Sequence, residues 1–377
     1  MSGARRLRVV QVSFHADVGR RDAETLLGAW PTLPAVASAV ARAGVDVAVV
    51  QAAHADRTLE RDGVAYHFVD DPGAARRERP ARLLARAASL APDVVHVQGL
   101  NHPRAVRQLG GAVRGVPVLV QDHGTVPPVG WRRAAWRWAY RAIAGVAFTA
   151  REQAAPFVAA GALGARVPVH EVLEGSSTFA PGDQAAARRA TGMAGDPCVL
   201  WTGRLDANKD PLAALDAFER AAPRLPDARL WCCWGRAPLL DAVRTRVAAS
   251  EVLRARVTLV GPRPHDEMEH RFRAADLFVQ TSHREGSGYS LLEALACGTP
   301  AIVTDIPAAR RIVGDASWGA GALVSLGNPP AMADALVAWS AGDRGARRRA
   351  ARRRFDCALT YEAVGRELRT AYEAVAR

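Results

Sequence analysis

Short apolar runs alternate along this chain with stretches whose apolar residues recur every three or four positions. In the first half, Leu7–Val12, Val45–Gln51, Val64–Val69, Asp93–Val97, Val116–Gln121, Val146–Thr149 and Val167–Leu173 read as strands. Helical periodicity falls between them, over Leu33–Ala43, Arg82–Leu90 and Pro103–Leu109. The second half repeats the pattern. Strands are expected at Cys198–Trp201, Ala228–Trp234, Val257–Val260, Leu277–Gln280 and Ala301–Thr304, with helices at Pro211–Ala221, Leu239–Ala248, Glu267–Ala275 and Ser290–Ala296. Strands alternating with helices argue for parallel sheets covered on both faces. The expected class is α/β with two doubly wound units, and the polar Pro181-Gly182-Asp183 segment marks the break between them. Such sheets receive ligands at the C-terminal ends of their strands.

Composition changes this picture little. A chain of 377 residues is long enough for two cores, and 49% hydrophobic with 23% charged residues suits a globular protein. No apolar run reaches the ~18 residues that suggest a membrane span. The opening MSGARRLRVVQVSF passes into a strand without a signal-peptide core, so a cytoplasmic location is expected. Five cysteines, odd in number and without metal-type spacing, suggest reduced thiols. A net charge of +12 admits nucleic acid, an anionic membrane or acidic small substrates as partners. Arginine and alanine dominate, a composition that high-GC coding also produces.

Candidate chemistry concentrates in Arg284–Pro300, REGSGYSLLEALACGTP. Glu285 and Glu293 flank a Gly286-Ser287-Gly288 turn that leads from a strand into a helix ended by Gly298 and Pro300. Glycines let the backbone approach an anion closely, and the first N–H groups of a helix have no internal partner. Glu293 is expected in the first helical turn, where Ser290-Leu-Leu-Glu293 also fits a capping box. A second motif, Trp201-Thr-Gly203-Arg204-Leu-Asp-Ala-Asn-Lys209, follows another strand and precedes a helix opened by Pro211. Its two cations beside a glycine suit a diphosphate, Arg204 as a fork and Lys209 as a mobile point charge.

Together the two motifs resemble the G-R-L-x(4)-K loop and the E-x(7)-E element of retaining GT-B glycosyltransferases, the group 1 or family 4-like kind. The resemblance implies two Rossmann-like domains facing a cleft. Residues 1–180 would be the acceptor side, 181–355 the nucleotide-sugar side, and 356–377 a terminal helix crossing back. It implies that Glu285 bonds the donor hexose and that Glu293 holds the ribose hydroxyls. Gly203, Arg204 and Lys209 would grip the diphosphate. The backbone of Ser287, Gly288 and Tyr289 would hold sugar and phosphate, and the base would lie by Gly235 and Arg263. His123, in Gln121-Asp-His-Gly124, resembles the histidine that points at the sugar. The implied activity is metal-independent transfer of a hexose from a nucleoside-diphosphate sugar to a small-molecule, glycan or lipid-linked acceptor, with no cofactor beyond that co-substrate. One departure concerns the loop after the first strand. It has His15, Asp17 and a single Gly19 where the family carries a glycine pair, which leaves the acceptor side open.

The remaining signals divide several ways. His265-Asp-Glu-Met-Glu-His270 lacks metal spacing and reads as a polar helix start. Trp131, Ala135, Trp138 and Ala142 share a helix face, read as core packing, with an anionic membrane surface as the alternative. Arg344–Arg354 contains seven arginines and reads as a solvated helix. No basic–aromatic recognition module indicates nucleic acid. Two rivals stay open: a sugar-nucleotide epimerase of the same fold, and a non-catalytic nucleotide-sugar-binding protein.

Overall fold

The structure, a computed structural model, describes residues 5–76 and 78–377. Residues 1–4, expected to run straight into the first strand, lie outside the described residues. The chain divides into two compact units, Met1–Gly175 with Tyr361–Arg377, and Ser176–Thr360. The first division falls a few residues before the polar Pro181–Asp183 segment, and the second a few residues after the 355/356 boundary that the resemblance implies.

The N-terminal unit is built on eight strands: β1 (Arg8–Ser13), β2 (Asp46–Ala53), β3 (Arg57–Arg61), β4 (Val64–Asp70), β5 (Val94–Gln98), β6 (Val118–Gln121), β7 (Gly145–Phe148) and β8 (Val169–Glu171). They lie in the order β3-β4-β2-β1-β5-β6-β7-β8, parallel throughout except for the β3–β4 hairpin. The strand order reverses direction at β1, so β1 and β5 flank the switch point. The Val-rich strands are buried on both faces because helices cover both.

The second unit carries β9 (Cys198–Gly203), β10 (Arg229–Trp234), β11 (Val257–Gly261), β12 (Leu277–Gln280), β13 (Ala301–Thr304) and β14 (Gly321–Val324). Their order is β11-β10-β9-β12-β13-β14, all parallel, with the switch between β9 and β12. Asp276 anchors the entry to β12. It accepts from the Cys198 N–H at 2.7 Å and Arg188 Nη2 at 2.7 Å while 8% exposed, so its charge is balanced inside the protein.

Two helices depart from expectation. In Arg132–Tyr140 the buried residues are Trp136, Ala139 and Tyr140. The Trp131/Trp138 face, expected to pack inward, points outward, and these indoles are 74% and 50% exposed. Trp136 stacks on Phe157, and the Tyr140 hydroxyl donates to the Leu100 carbonyl at 2.7 Å, which fixes the helix rotation. The arginine-rich helix Arg344–Ala358 is not simply solvated. Arg354 is 6% exposed and its Nε donates to the Ile312 carbonyl at 2.8 Å. Arg348 and Arg352 donate to carbonyls of Ala275, Cys297 and Ala296 at 2.6–3.3 Å. No helix among the described residues is long and apolar enough to cross a membrane.

The last helix, Tyr361–Val375, packs against Thr32–Arg42 in the N-terminal unit. There Gly365 allows a close crossing: a Cβ on it would lie 2.4 Å from the Ala39 carbonyl oxygen. Gly365→Ala should therefore lower stability by about 1–3 kcal/mol, the range for overpacking a tight contact. Denaturant unfolding reads this as a lower midpoint at unchanged slope. An unchanged midpoint would mean the crossing is loose.

Candidate active site

The C-terminal ends of β9 and β12 lie side by side at the switch of the second sheet, and the two sequence motifs leave from these two ends. The first loop is shaped by Asp206. Its Oδ1 accepts from the Lys209 N–H at 2.9 Å, and its Oδ2 pairs with Arg204 Nε at 2.8 Å. Asp210 follows at φ 44°, a left-handed value that non-glycine residues rarely adopt. Two contacts hold it there. Its carboxylate caps the next helix at the Ala213 N–H, 3.1 Å away, and meets His283 Nε2 at 2.9 Å. The Thr281 hydroxyl lies 2.9 and 2.8 Å from the Lys209 and Asp210 carbonyls. Asn208 completes the link, donating to the Arg284 carbonyl at 2.9 Å and accepting from the His283 N–H at 2.7 Å.

These contacts bring Lys209 onto Glu285. The ammonium and carboxylate pair directly, with only 17% and 10% of each side chain exposed. Gln280, the last residue of β12, donates to the same carboxylate oxygen at 2.6 Å. The lysine of one motif and the first glutamate of the other therefore form one cluster. Arg204 is half exposed and turned to Asp206.

The glycine turn then opens the helix Tyr289–Ala296. Its cap is Gly288 at φ 61°, with no side-chain cap bond. The helix begins one residue earlier than the sequence suggests, which places Glu293 in the second turn and removes the capping box. Ser290 Oγ instead accepts from Thr202 Oγ1 at 2.9 Å, and Glu293 Oε1 meets His265 Nε2 at 2.9 Å. That contact, a hydrogen bond to a carboxylate, holds the His265 pKa above its usual 6.5 against a smaller opposing effect of burial. His265 also lies 4.8 Å from the Phe179 ring, centroid to centroid. His265 opens the helix His265–Ala274, and among the described residues no three of His, Cys, Asp or Glu gather to hold a metal ion.

Gly235 and Arg263 follow the ends of β10 and β11. Gly235 has open space where a side chain would project, and Arg263 is half exposed beside Glu267 at 3.9 Å. The Arg236 carbonyl accepts from the Leu205 N–H at 2.9 Å, so this loop rests on the first motif.

In the N-terminal unit, His123 Nε2 donates to Gln98 Oε1 at 2.7 Å, and its Nδ1 lies 3.4 Å from Glu174. Burial opposes charging this imidazole, but the Glu174 and Asp122 carboxylates outweigh it and raise the pKa. The neighbouring His96 is fully buried. Burial, with the His123 charge, pushes its pKa down to about 3, so it stays neutral. Its Nδ1 meets the Tyr372 hydroxyl at 2.7 Å, a residue of the last helix. In the glycine-poor loop after β1, Arg21 forks onto Asp17 and holds that carboxyl far below the usual range. A cavity of about 250 Å³ opens at the switch point of this sheet, lined by Phe14, Asn101, His102, Arg104, Trp131 and Trp136 among others.

Sequence reasoning found Lys209, Glu285, Gly288 and Glu293 but passed over Asp206, Asn208, Gln280, His265 and His283. Asn208 and His283 gain their partners only from the adjacency of β9 and β12, Asp206 and Gln280 find theirs a few residues away along the chain, and His265 meets Glu293 of the helix after β12. The nearest signal was the polar character of the His265–His270 stretch.

Comparison with known proteins bears on both units. Residues 183–354 match the family described as glycosyl transferases group 1, and residues 30–162 match glycosyltransferase family 4. A D-inositol 3-phosphate glycosyltransferase of Mycobacterium sp. (strain JLS) is 38% identical over 149 residues, 38% of this chain and 33% of the relative. The matched stretch thus spans about a third of that curated relative. Among solved structures, sucrose-phosphate synthase from Thermosynechococcus elongatus superposes with a TM-score of 0.67 at 19% identity, covering 98% of each chain. Anabaena HepE in complex with UDP-glucose gives 0.67 at 16% identity, covering 97% of this chain and 99% of that one. With two group-specific matches, one in each doubly wound unit, the chain belongs to the GT-B glycosyltransferases.

Proposed function

We propose that this protein moves a hexose-type sugar from a nucleoside-diphosphate sugar to an acceptor hydroxyl, with retention and without a metal. The observation that carries this reading is the Lys209–Glu285 pair beside the glycine turn that opens the helix Tyr289–Ala296. The two side chains neutralise each other. A bound diphosphate would take the ammonium, and the hexose hydroxyls would take the carboxylate. As the anomeric C–O bond breaks, negative charge grows on the leaving diphosphate. Lys209, Arg204 released from Asp206, and the first N–H groups of the helix are cationic or dipolar groups suited to stabilise it. Glu293 would accept the ribose hydroxyls, displacing His265, with the base between Gly235 and Arg263. The solved HepE complex, named with UDP-glucose, supports a donor of this class. The acceptor, whether small molecule, glycan or lipid-linked, would bind the N-terminal unit at the cavity by β1 and β5, with His123 as the catalytic histidine. Retention and metal independence rest on the resemblance of the two motifs.

A thermal-shift panel of UDP-, GDP- and ADP-sugars tests the donor class, since a ligand that binds only the folded state raises its melting temperature. One nucleotide series should stabilise the chain, and no shift with any of them would remove the reading. Glu285→Gln keeps the contact with Gln280 but loses the charge. It should cut turnover by roughly 10²–10³-fold, the effect of losing one transition-state contact, while far-UV circular dichroism shows the fold kept. Near-normal turnover would take Glu285 out of the site. Lys209→Ala should cost about 2–4 kcal/mol in kcat/KM for the donor. Unchanged kinetics would end its role at the diphosphate.

His265 offers a pH test. Its raised pKa means that the Glu293 contact stabilises the fold fully below the usual 6.5 and fades as pH rises through the folded value. In NMR titration the free protein should show a His265 midpoint above 6.5. Saturating nucleotide should bring it down toward the ordinary range. An unmoved midpoint would place the ribose elsewhere.

A further inference from the structure

Scattered apolar residues on a protein surface are ordinary, and a cluster is not. Among the described residues, eight large hydrophobics are exposed, and four of them are Val126, Val129, Trp131 and Trp138. They lie on the helix Arg132–Tyr140 and the loop before it. The helix has no acidic residue, and Arg132, Arg133, Arg137 and Arg141 are all exposed. The neighbouring helix Pro103–Ala112 adds Arg104 and Arg107, and the Arg107 guanidinium lies 5.2 Å from the Trp138 ring centroid. From Gly99 to Ala144 the chain holds seven arginines and a single carboxylate, Asp122, which is buried. Among the described residues lining the adjoining cavity, Glu78 alone is acidic.

This arrangement differs from that of the other arginine-rich helix. The side chains of Arg348, Arg352 and Arg354 are used on backbone carbonyls within their own unit. Those of Arg132, Arg133 and Arg141 make no ion pair among the described residues, and all three residues are exposed. Indoles prefer the boundary between water and hydrocarbon, and arginines beside them gain from anionic headgroups. An acidic protein partner would meet the charge but leave the indole pair needing its own pocket. A lipid surface meets both without a matched shape.

We propose that the face formed by Val126, Val129, Trp131, Trp138 and the arginines around them is a docking surface for an anionic lipid bilayer. The indoles enter the interface and the guanidinium groups sit at the phosphates. Attachment is peripheral and reversible, because nine helical residues bury too little to anchor the chain permanently. The inference does not depend on the transferase reading. It would hold for a nucleotide-sugar-binding protein as well, and its test uses no donor.

The test is flotation of the full chain with phosphatidylcholine vesicles, with and without phosphatidylglycerol. The wild type should float with the anionic vesicles, be released by high salt, and stay behind with phosphatidylcholine alone. R132Q/R133Q should weaken partitioning by roughly ten- to thirtyfold, from the typical gain per arginine near an anionic surface. W131A/W138A should also weaken it, at unchanged melting temperature because both indoles are exposed. Binding to neither vesicle, equal binding to both, or variants that float like wild type would each overturn the proposal. So would binding to duplex DNA with the same arginine dependence but none to vesicles. A wild-type dimer dispersed by W131A/W138A, without vesicle binding, would assign the face to a second copy instead and overturn it too.

Discussion

A lysine and a glutamate from distant parts of the chain meet almost out of water at the end of a parallel sheet, and the two loops of the candidate site are arranged around that contact. Either charge alone would be costly to bury, and together they are tolerable only with further hydrogen bonds. Gln280 supplies one to Glu285. Thr281, Asn208, Asp210 and His283 hold the two backbones at the required spacing. The left-handed Asp210 is the local cost of that arrangement, and its cap and histidine contacts offset it. At the far end of the helix Tyr289–Ala296, arginines satisfy the terminal carbonyls. The helix therefore has cations at its C-terminal end, the favourable polarity for its dipole, and the glycine turn at its N-terminal end.

Much of this was legible in the residues. The alternation of Val-rich runs with periodic segments identified most of the strands and the two-unit organisation. The strands not anticipated were β3 and β14. β3, RTLER, is an exposed hairpin edge with no apolar alternation, and β14, GALV, is a short edge run with little signal above a loop. Helix register was harder. Periodicity placed Trp131 and Trp138 on one face and Trp136 and Tyr140 on another but could not say which face the sheet would take. The stack on Phe157 and the bond to Leu100 decided it, and both are tertiary contacts. The capping-box reading of Ser290 and Glu293 failed for a similar reason. Thr202 of β9 and His265 at the start of the helix His265–Ala274 are the partners instead.

The two arginine-rich helices show why composition alone misleads. Similar sequences end in opposite roles because one helix lies across exposed carbonyl ends and the other lies beside apolar surface open to water. Histidine charge follows the same logic. His96 lies within β5 and His123 just past the end of neighbouring β6, yet burial keeps one neutral while Glu174 and Asp122 favour charge on the other.

The central claim is that the Lys209–Glu285 junction is a pyrophosphate grip. Calorimetric titration of the preferred nucleotide as its nucleoside, monophosphate and diphosphate measures this directly. The account predicts that affinity rises steeply at the second phosphate and that this last increment disappears in Lys209→Met while nucleoside affinity stays the same. An increment that survives in Lys209→Met, or affinity indifferent to the second phosphate, would contradict it.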